Sequence, residues 1–303
     1  MRVGLITPLH GPFADPAAGE PSYKLLRDVA VTAERGGLHS VWMTDHLIFR
    51  FPPENRNIAS HEAFTIWAGI AEATSTIELG SLVLCMPFRN PAMMAKLAVS
   101  LDEIAENRVT FGIGCGWHKP EFDAFGYPFD NIVSRFDEAL QIFHPLLRTG
   151  KADFHGKYAQ ATNCELCPPD RRPGGIPIMI ASTQPRMMDL TATYADQWNS
   201  AWWGTPAGYL EKVADLDAAC ARVGRDPKSI VKTAGVAFEF ADAPASGEGN
   251  DPARKIVGPV ELVAETLAAY RDAGCDHVIG NLVGLDTEKT IKFAEAARMA
   301  GLI

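Results

Sequence analysis

Residues 108–129 have the sequence RVTFGIGCGWHKPEFDAFGYPF, and this stretch determines how the rest of the chain is interpreted. Its first part, residues 109–114, is a short uncharged run of the kind that forms strands buried on both faces of a parallel sheet. Small residues follow at once, and from Trp117 onward the sequence is aromatic and polar. This order predicts a buried strand whose carboxyl end opens into a loop that carries functional side chains.

The same unit, a short apolar run followed by an amphipathic stretch, recurs along the whole chain. The predicted strands are residues 3–7, 40–44, 78–85, 109–114, 178–181, 197–201, 230–240 and 277–282. The predicted helices are residues 25–33, 63–73, 91–105, 132–147, 185–194, 206–223, 260–273 and 287–300. Such regular alternation predicts one α/β domain over residues 1–303, folded as a single (β/α)8 TIM barrel.

An open, doubly wound sheet is the alternative architecture. Such a sheet usually has fewer strands, and its dinucleotide-binding form carries a glycine-rich fingerprint after the first strand. The segment Gly114-Cys115-Gly116 lacks the third glycine and follows the fourth predicted strand. It is better interpreted as a tight turn at a strand end.

Three connections are longer than a scaffold needs, namely residues 47–61, 149–175 and 241–258. Long loops in compact domains are usually functional or disordered. The first and the third leave the carboxyl ends of strands, so they predict insertion loops at the C-terminal mouth of the barrel, where barrel enzymes place their active sites. The second contains the segment FHGKY at 154–158, which predicts a hairpin.

Composition argues against several classes of protein. The formal net charge is −9 and no Lys/Arg cluster is evident, so a nucleic-acid partner is not expected. No stretch reaches the ~18 uninterrupted apolar residues of a membrane-spanning helix. The cysteines are scattered, which is typical of reduced, cytoplasmic proteins. Cys164 and Cys167 have zinc-like spacing, but the chain has no second pair of this kind, so two loop thiols are favoured.

In a barrel, the residues directly after each strand face the ligand. Asp45 and His46 follow the second predicted strand, and Trp117 and His118 follow the fourth. One interpretation is a metal-dependent hydrolase with the ligands Asp45, His46, His118 and Glu121, although no H-x-x-x-H pair supports it. In the other interpretations, His46 is a general base or proton donor, or a structural histidine that holds Asp45.

Aromatic and charged residues near the predicted mouth also allow two interpretations each. Trp117 either stacks near a bound ring or packs in the core. His118 and Glu121 either cap a pocket or face water. Trp202 and Trp203 are adjacent on a strand end, so one of them is expected to face the pocket and the other to point away.

The segment Ser182-Thr183-Gln184-Pro185 follows the fifth predicted strand and begins a helix. Free backbone N–H groups and two hydroxyls at a helix start can bind a phosphate, and a phosphate site late in the barrel is a recurrent use of this fold. The alternative is an ordinary Ser or Thr N-cap. The sequence leaves both possibilities open.

Five segments, in the same order, resemble the bacterial luciferase-like oxidoreductases. The most extensive is residues 108–129, and the others are residues 33–46, 79–91, 194–199 and 273–278. The resemblance covers nearly the whole chain. It implies a barrel with its cofactor in the C-terminal mouth, a homodimer, and redox chemistry on a small-molecule substrate. Asp45-His46 and residues 114–118 are most similar to the branch that uses the deazaflavin coenzyme F420.

The resemblance implies either F420 or FMN as cofactor, for hydride transfer to, or monooxygenation of, a small organic substrate. Carried over by position, the cofactor-binding residues are Thr7, Asp45, Leu82, Val83, Gly114, Ala181, Ser182, Thr183 and Gln184. The catalytic candidates are His46, which matches a histidine beside the reactive ring in the sugar-phosphate dehydrogenases, and Trp117, His118 and Glu121, which follow the fourth predicted strand. The family's non-proline cis peptide would fall near residues 81–83.

Two departures from the family pattern limit this transfer. Trp117 stands where the sugar-phosphate dehydrogenases of the family have a catalytic glutamate, which argues against sugar-phosphate oxidation. Cys115 stands where luciferase has an arginine near the phosphate. A mouth rich in aromatic and small residues favours a neutral or hydrophobic substrate. A metal-dependent hydrolase and a non-catalytic flavin-binding protein are the alternative functions.

Overall fold

The computed structural model describes residues 1–7, 22–50, 57–58, 60–242 and 251–303. Within these residues, eight parallel strands form the centre of the molecule. They are β1 Arg2–Thr7, β2 Ser40–Met43, β3 Glu78–Ser81, β4 Val109–Gly114, β5 Ile178–Ala181, β6 Gln197–Trp203, β7 Val231–Phe240 and β8 His277–Leu282. Most are uncharged because both of their faces are buried, as the sequence predicts.

The eight strands close into a ring. Each strand pairs with the next along the chain, and β8 returns to β1 with Arg2 opposite His277. The ring also joins β4 to β5, where Phe111 lies opposite Ile178. Every pairing in the ring is parallel. The predicted (β/α)8 barrel is therefore confirmed, and the open sheet is excluded.

Helices pack around the ring and supply the outer layer of the core. They are α1 Tyr23–Arg35, α2 Ala63–Ala73, α3 Pro91–Ile104, α4 Lys119–Phe125, α5 Ile132–Thr149, α6 Pro185–Tyr194, α7 Ala207–Val223, α8 Val260–Asp272 and α9 Thr287–Met299. The sequence does not predict α4, which is a short helix closed by Gly126 at φ 76°. The α4 helix lies just after β4, where the predicted mouth loop begins.

The predicted third strand, residues 78–85, is interrupted in the structure. After β3, the chain continues as a second short strand, Leu84–Cys85, which pairs with the end of β4. The peptide bond between Leu82 and Val83 is cis, which confirms the expectation for residues 81–83. Gly112 on β4 is required here, because a Cβ at this position would lie 1.8 Å from the carbonyl oxygen of Ser81.

Two antiparallel hairpins and one added strand lie outside the ring. Lys151–His155 pairs with Gln160–Glu165, which confirms the predicted hairpin, and Phe49–Arg50 pairs with Asn57–Ile58. Ile256–Gly258 is a short strand that pairs in parallel with the last residues of β7, Phe238–Phe240. The other parts of the predicted loops 47–61 and 241–258 lie partly outside the described residues. Among the helices that are described, none has the length and apolar character needed to cross a membrane.

A polar network fills the end of the barrel opposite the mouth, where the amino-terminal residues of β2 and β8 lie. The hydroxyl of Ser40 lies 2.9 Å from Nε2 of His277 and accepts a hydrogen bond from the indole N–H of Trp42 at 2.7 Å. His277 is fully enclosed. Burial, together with the positive charges of Arg2 and the N-terminus and the neighbouring His39, lowers the pKa of His277 well below its usual value. The imidazole is therefore neutral in the folded protein at neutral pH.

We expect acid to destabilise the fold in part through His277. Because the unfolded histidine titrates near pH 6.5 and the folded one at lower pH, the unfolded state binds the extra proton first. The free energy of unfolding contributed by this group is complete above pH 6.5 and declines as the pH falls, by at most about 1.4 kcal/mol per pH unit. Urea unfolding at pH 7 and pH 5.5 should show a smaller loss in H277Q than in the wild type. Equal losses would contradict this expectation.

Candidate active site

A cavity of about 540 Å³ opens at the carboxyl ends of the barrel strands. Most of its lining comes from residues at or just after the ends of β2, β3, β4, β5 and β6, and Ile6 of β1 and Asn281 of β8 also contribute. All of the site residues inferred from the sequence line it, apart from Thr7 and His118. The cavity has the size of an ordinary small-molecule site, and it lies at the end of the barrel where the sequence predicts it.

The positions of Thr7 and His118 contradict their predicted roles at the ligand. Side chains alternate along a strand, and Ile6 lines the cavity, so Thr7 points to the other face of β1, where its hydroxyl donates to the carbonyl of Trp42 at 3.2 Å. His118 is buried before α4, where its Nε2 accepts the backbone N–H of Arg50 at 3.1 Å. Burial lowers the pKa of His118, so it is a neutral structural acceptor at this position.

His46 and Glu121 form a hydrogen-bonded pair at the cavity wall. Glu121 is 1% exposed, and its carboxylate accepts Nδ1–H of His46 at 3.1 Å. The same carboxylate accepts the backbone N–H of Leu47 at 3.0 Å, which holds the segment after β2 against α4. The bond to Glu121 fixes the ring orientation and assigns the Nδ1 proton, so proton transfer with a ligand would use Nε2. Glu121 therefore does not face water.

Asp45 lines the cavity, but its carboxylate already accepts hydrogen bonds from neighbouring protein groups. Arg89 donates to both of its oxygens, at 2.6 and 3.1 Å, and the backbone N–H of Cys85 donates at 3.0 Å. Arg89 also contacts Glu62, the N-cap of α2, at 2.9 Å. Asp45 therefore joins the end of β2 to the exit of β3. It positions the cavity wall, and the structure does not place it as the partner of His46.

The start of α6 forms the part of the cavity opposite His46. Ser182 does not offer a donor there, because its N–H bonds to the carbonyl of Asn199 and its hydroxyl lies 2.9 Å from that of Thr191. Thr183 and Gln184 do line the cavity, and α6 begins without a side-chain cap. Of the predicted phosphate segment, Thr183, Gln184 and the first turn of α6 remain suited to an anion.

Two tryptophans border the opening. Trp117 is 60% exposed and Trp202 is 38% exposed, although both line the cavity. Core packing of Trp117 is therefore excluded. Trp203 is not among the lining residues, and its indole N–H donates to the hydroxyl of Ser200 at 3.1 Å. The expectation that one of the two adjacent tryptophans faces the cavity and the other does not is therefore confirmed. The rings of Trp117 and Trp202 thus form part of the cavity wall at its opening.

Asn199 in β6 is a cavity residue that was not among the site residues inferred from the sequence. It is fully buried at the cavity, its Nδ2 donates to the hydroxyl of Thr233 at 2.8 Å, and its Oδ1 has no hydrogen-bond partner within the described part of the chain. A buried acceptor without a partner costs free energy, which a ligand N–H group would recover. The motif at residues 194–199 contains Asn199, but only the three-dimensional structure shows that its side chain faces the cavity.

The described residues do not contain a cluster of three or more His, Cys, Asp or Glu side chains that could hold a metal ion. The carboxylates that the sequence suggested as ligands are engaged instead with Arg89 and His46. Cys164 and Cys167 are free thiols on and after the outer hairpin. The ligand arrangement needed for the metal-dependent hydrolase is therefore not formed.

A closed barrel with a mostly apolar cavity at its mouth is the architecture of the ligand-binding barrel enzymes. Comparison with known proteins identifies the family. The sequence model of the luciferase-like monooxygenase family matches residues 1–248 of this chain. The chain belongs to this family. It is 32% identical over 223 residues to the pyrimidine monooxygenase RutA of Methylorubrum extorquens AM1, which covers 70% of this chain and 59% of that protein.

Other known proteins agree with this assignment. The pyrimidine monooxygenase RutA of Bradyrhizobium sp. BTAi1 is 35% identical over 193 residues, which are 60% of this chain and 52% of the relative. The chain thus spans less than two thirds of the length of these relatives. An F420-dependent secondary alcohol dehydrogenase superposes with a TM-score of 0.78 at 18% identity, covering 99% of this chain and 98% of the other. EDTA monooxygenase of Chelativorans sp. BNC1 superposes with a TM-score of 0.80 at 12% identity, covering 100% and 95%. At these identities, the similarity to the solved structures concerns the fold.

Proposed function

We propose that this chain is an oxidoreductase that binds a reduced flavin-type cofactor in the mouth cavity and uses it to oxygenate a small neutral substrate. The observation that carries the proposal is the cavity itself, in which a partly buried histidine hydrogen-bonded to a buried glutamate, an unpartnered amide oxygen and an open helix start surround one space. The membership of the luciferase-like family and the names of the relatives, which are pyrimidine monooxygenases, support monooxygenation.

The residues present fit a tricyclic ring with a phosphate-bearing tail. Leu82 and Val83 offer an apolar wall, and Gly114 leaves space beside it, since a Cβ there would lie 2.9 Å from Cγ2 of Val83. The unpartnered Oδ1 of Asn199 matches a ring N–H group. Thr183 and Gln184 at the start of α6 are the matching contacts for a phosphate. Ala181 completes this side of the cavity.

A bound reduced flavin would supply the electrons for oxygen activation, and the protein would supply binding, orientation and protons. His46 is the group suited to donate or accept a proton, because Glu121 holds its ring in one orientation. Trp117 and Trp202 would cover the opening and limit the access of water to the reacting atoms.

The lining favours an uncharged substrate. Among the described residues it contains neither lysine nor arginine, and its two carboxylates are already engaged with Arg89 and His46. An anionic substrate would therefore lack a countercharge in this space. A planar, neutral ring that stacks on Trp117 is the chemistry that fits, and a pyrimidine base such as uracil is the first substrate to test.

Hydride transfer with the deazaflavin F420 is the second candidate. The similarity of Asp45-His46 and residues 114–118 to that branch of the family supports it. In this case the cavity would have the same role, but oxygen would not take part. A homodimer is the further expectation from the resemblance, and a cytoplasmic location is the expectation from the scattered cysteines. Light scattering on the purified protein tests the assembly.

Anaerobic titration with reduced FMN and with reduced F420 tests the proposal, followed by addition of oxygen and uracil. We expect saturable binding of one cofactor, with quenching of tryptophan fluorescence, and formation of an oxygenated product only when oxygen is present. Binding of F420 with oxygen-independent turnover of a carbonyl or alcohol would instead establish the second candidate. If neither cofactor binds, both are wrong. G114V, which fills the space beside Val83, should retain the fold by circular dichroism and weaken cofactor binding at least tenfold.

A further inference from the structure

A second cavity, of about 450 Å³, is separate from the mouth cavity and is lined by residues outside the ring of strands. It is enclosed by the turn after the Leu84–Cys85 strand, the loop after α4, the first half of α5 and the tip of the Lys151–His155 hairpin. Its size is within the range of small-molecule sites. Nothing in the proposed redox function requires this cavity.

The charge of this cavity differs from that of the protein as a whole. The chain has a formal net charge of −9, but the described lining includes Arg89 and Arg135 and no carboxylate. The nearest acidic groups are engaged. Asp130 binds Nε and Nη2 of Arg135 through its carbonyl and carboxylate, and Glu138 accepts the three backbone N–H groups at the hairpin tip. Arg89 is likewise paired with Asp45 and Glu62. The lining therefore presents two guanidinium groups whose partner carboxylates lie outside the cavity.

Several donors in this lining have no acceptor in the described part of the chain. The Nη1 group of Arg135 makes no hydrogen bond there, and the same is true of the hydroxyls of Tyr127 and Tyr158. The Asn90 side chain uses only its oxygen, which caps α3, so its Nδ2 is a further donor. A set of hydrogen-bond donors that includes the Nη1 group of Arg135, which the ion pair with Asp130 does not use, matches the carboxylate group of a ligand.

The remaining walls are flat and apolar. Phe88 and Tyr127 pack against each other with ring centroids 5.2 Å apart, and prolines 87, 91 and 128 extend this surface. The Arg135 guanidinium lies over the Tyr158 ring at 4.5 Å, which holds it at the cavity edge. Rigid aromatic and proline surfaces accept a planar ring at little cost in conformational entropy.

We propose that this cavity is a second binding site, which takes a small aromatic carboxylate with its carboxylate group at Arg135 and its ring against Phe88 and Tyr127. Arg89 lines this cavity and also holds Asp45 at the mouth cavity, so the two sites share one side chain. Binding of a ligand in this cavity would affect the mouth cavity through the Arg89–Asp45 ion pair.

Fluorine NMR with 4-fluorobenzoate and the full chain tests this site. We expect saturable binding of one equivalent, at least tenfold weaker binding in R135Q and a smaller weakening in Y158F. R222Q should bind as the wild type, because Arg222 forms an exposed ion pair with Asp189 on α6 and does not line the cavity. Melting temperatures of the variants confirm that each is folded before its affinity is compared.

Two further probes separate the contributions of charge and ring. 4-Fluorobenzamide, which is neutral, should bind at least tenfold more weakly than 4-fluorobenzoate, and inorganic phosphate should not displace 4-fluorobenzoate at equal concentration. The proposal is overturned if R135Q binds 4-fluorobenzoate as tightly as the wild type, if no saturable binding occurs, or if phosphate competes equally well. The last result would show an anion site without selection for a ring.

Discussion

Replacement of Glu121 by glutamine is expected to lower the turnover number by about 100-fold, while the affinity for the cofactor stays within a factor of two or so. The carboxylate accepts Nδ1–H of His46, whereas a glutamine amide can donate to Nδ1 and reverse the proton arrangement on the ring. The glutamine oxygen can still accept the N–H of Leu47, so the segment after β2 stays anchored. Single-turnover kinetics with the cofactor and substrate established by titration measure the effect.

A double-mutant cycle distinguishes this positioning role from general support of the fold. If Glu121 acts through His46, then H46A and the double variant E121Q/H46A should have the same turnover number, because the second change removes a contact that no longer matters. A purely structural Glu121 would give additive losses instead. Unchanged turnover in E121Q would contradict the role of the pair.

The barrel could be predicted from the sequence because its strands are buried on both faces and its helices are amphipathic, so the two periodicities alternate clearly. The prediction was less accurate where backbone geometry departs from these patterns. Residues 78–85 form one apolar run, and periodicity cannot show that the strand is interrupted after Ser81. The α4 helix has only seven residues and begins with Lys-Pro, so it resembles a turn in sequence.

The site was predictable to the extent that strand ends face the mouth. That rule brought His46, Trp117 and Thr183 to one cavity. It could not say which side of a strand a given residue faces, so it placed Thr7 at the cavity. It also could not show which polar groups their neighbours already occupy, such as the hydroxyl of Ser182, which lies beside that of Thr191. It also overlooked Asn199, because an unpaired acceptor can be recognised only when every neighbouring group has a position.

Replacement of Arg89 by methionine is expected to lower the free energy of unfolding by about 3–5 kcal/mol, the largest effect on stability that we predict. The side chain of Asp45 is 2% exposed and that of Arg89 is 14% exposed, so R89M would leave a buried carboxylate without its countercharge. Arg89 also holds Glu62 at the start of α2 and lies over the Phe64 ring at 4.9 Å. Urea unfolding at pH 7 measures the change.

Two controls identify the buried charge as the cause. R222M removes an exposed ion pair, with side-chain exposures of 51% and 46%, and should cost no more than about 1 kcal/mol. D45N/R89M removes the buried carboxylate that R89M leaves without a countercharge, and the asparagine keeps an oxygen for the N–H of Cys85. The double variant should therefore be more stable than R89M alone. Equal stabilities of the single and double variants would show that packing, and not charge, explains the loss.

Because Asp45 anchors the exit of β3 next to Leu82 and Val83, R89M should also weaken cofactor binding, whereas R222M should not.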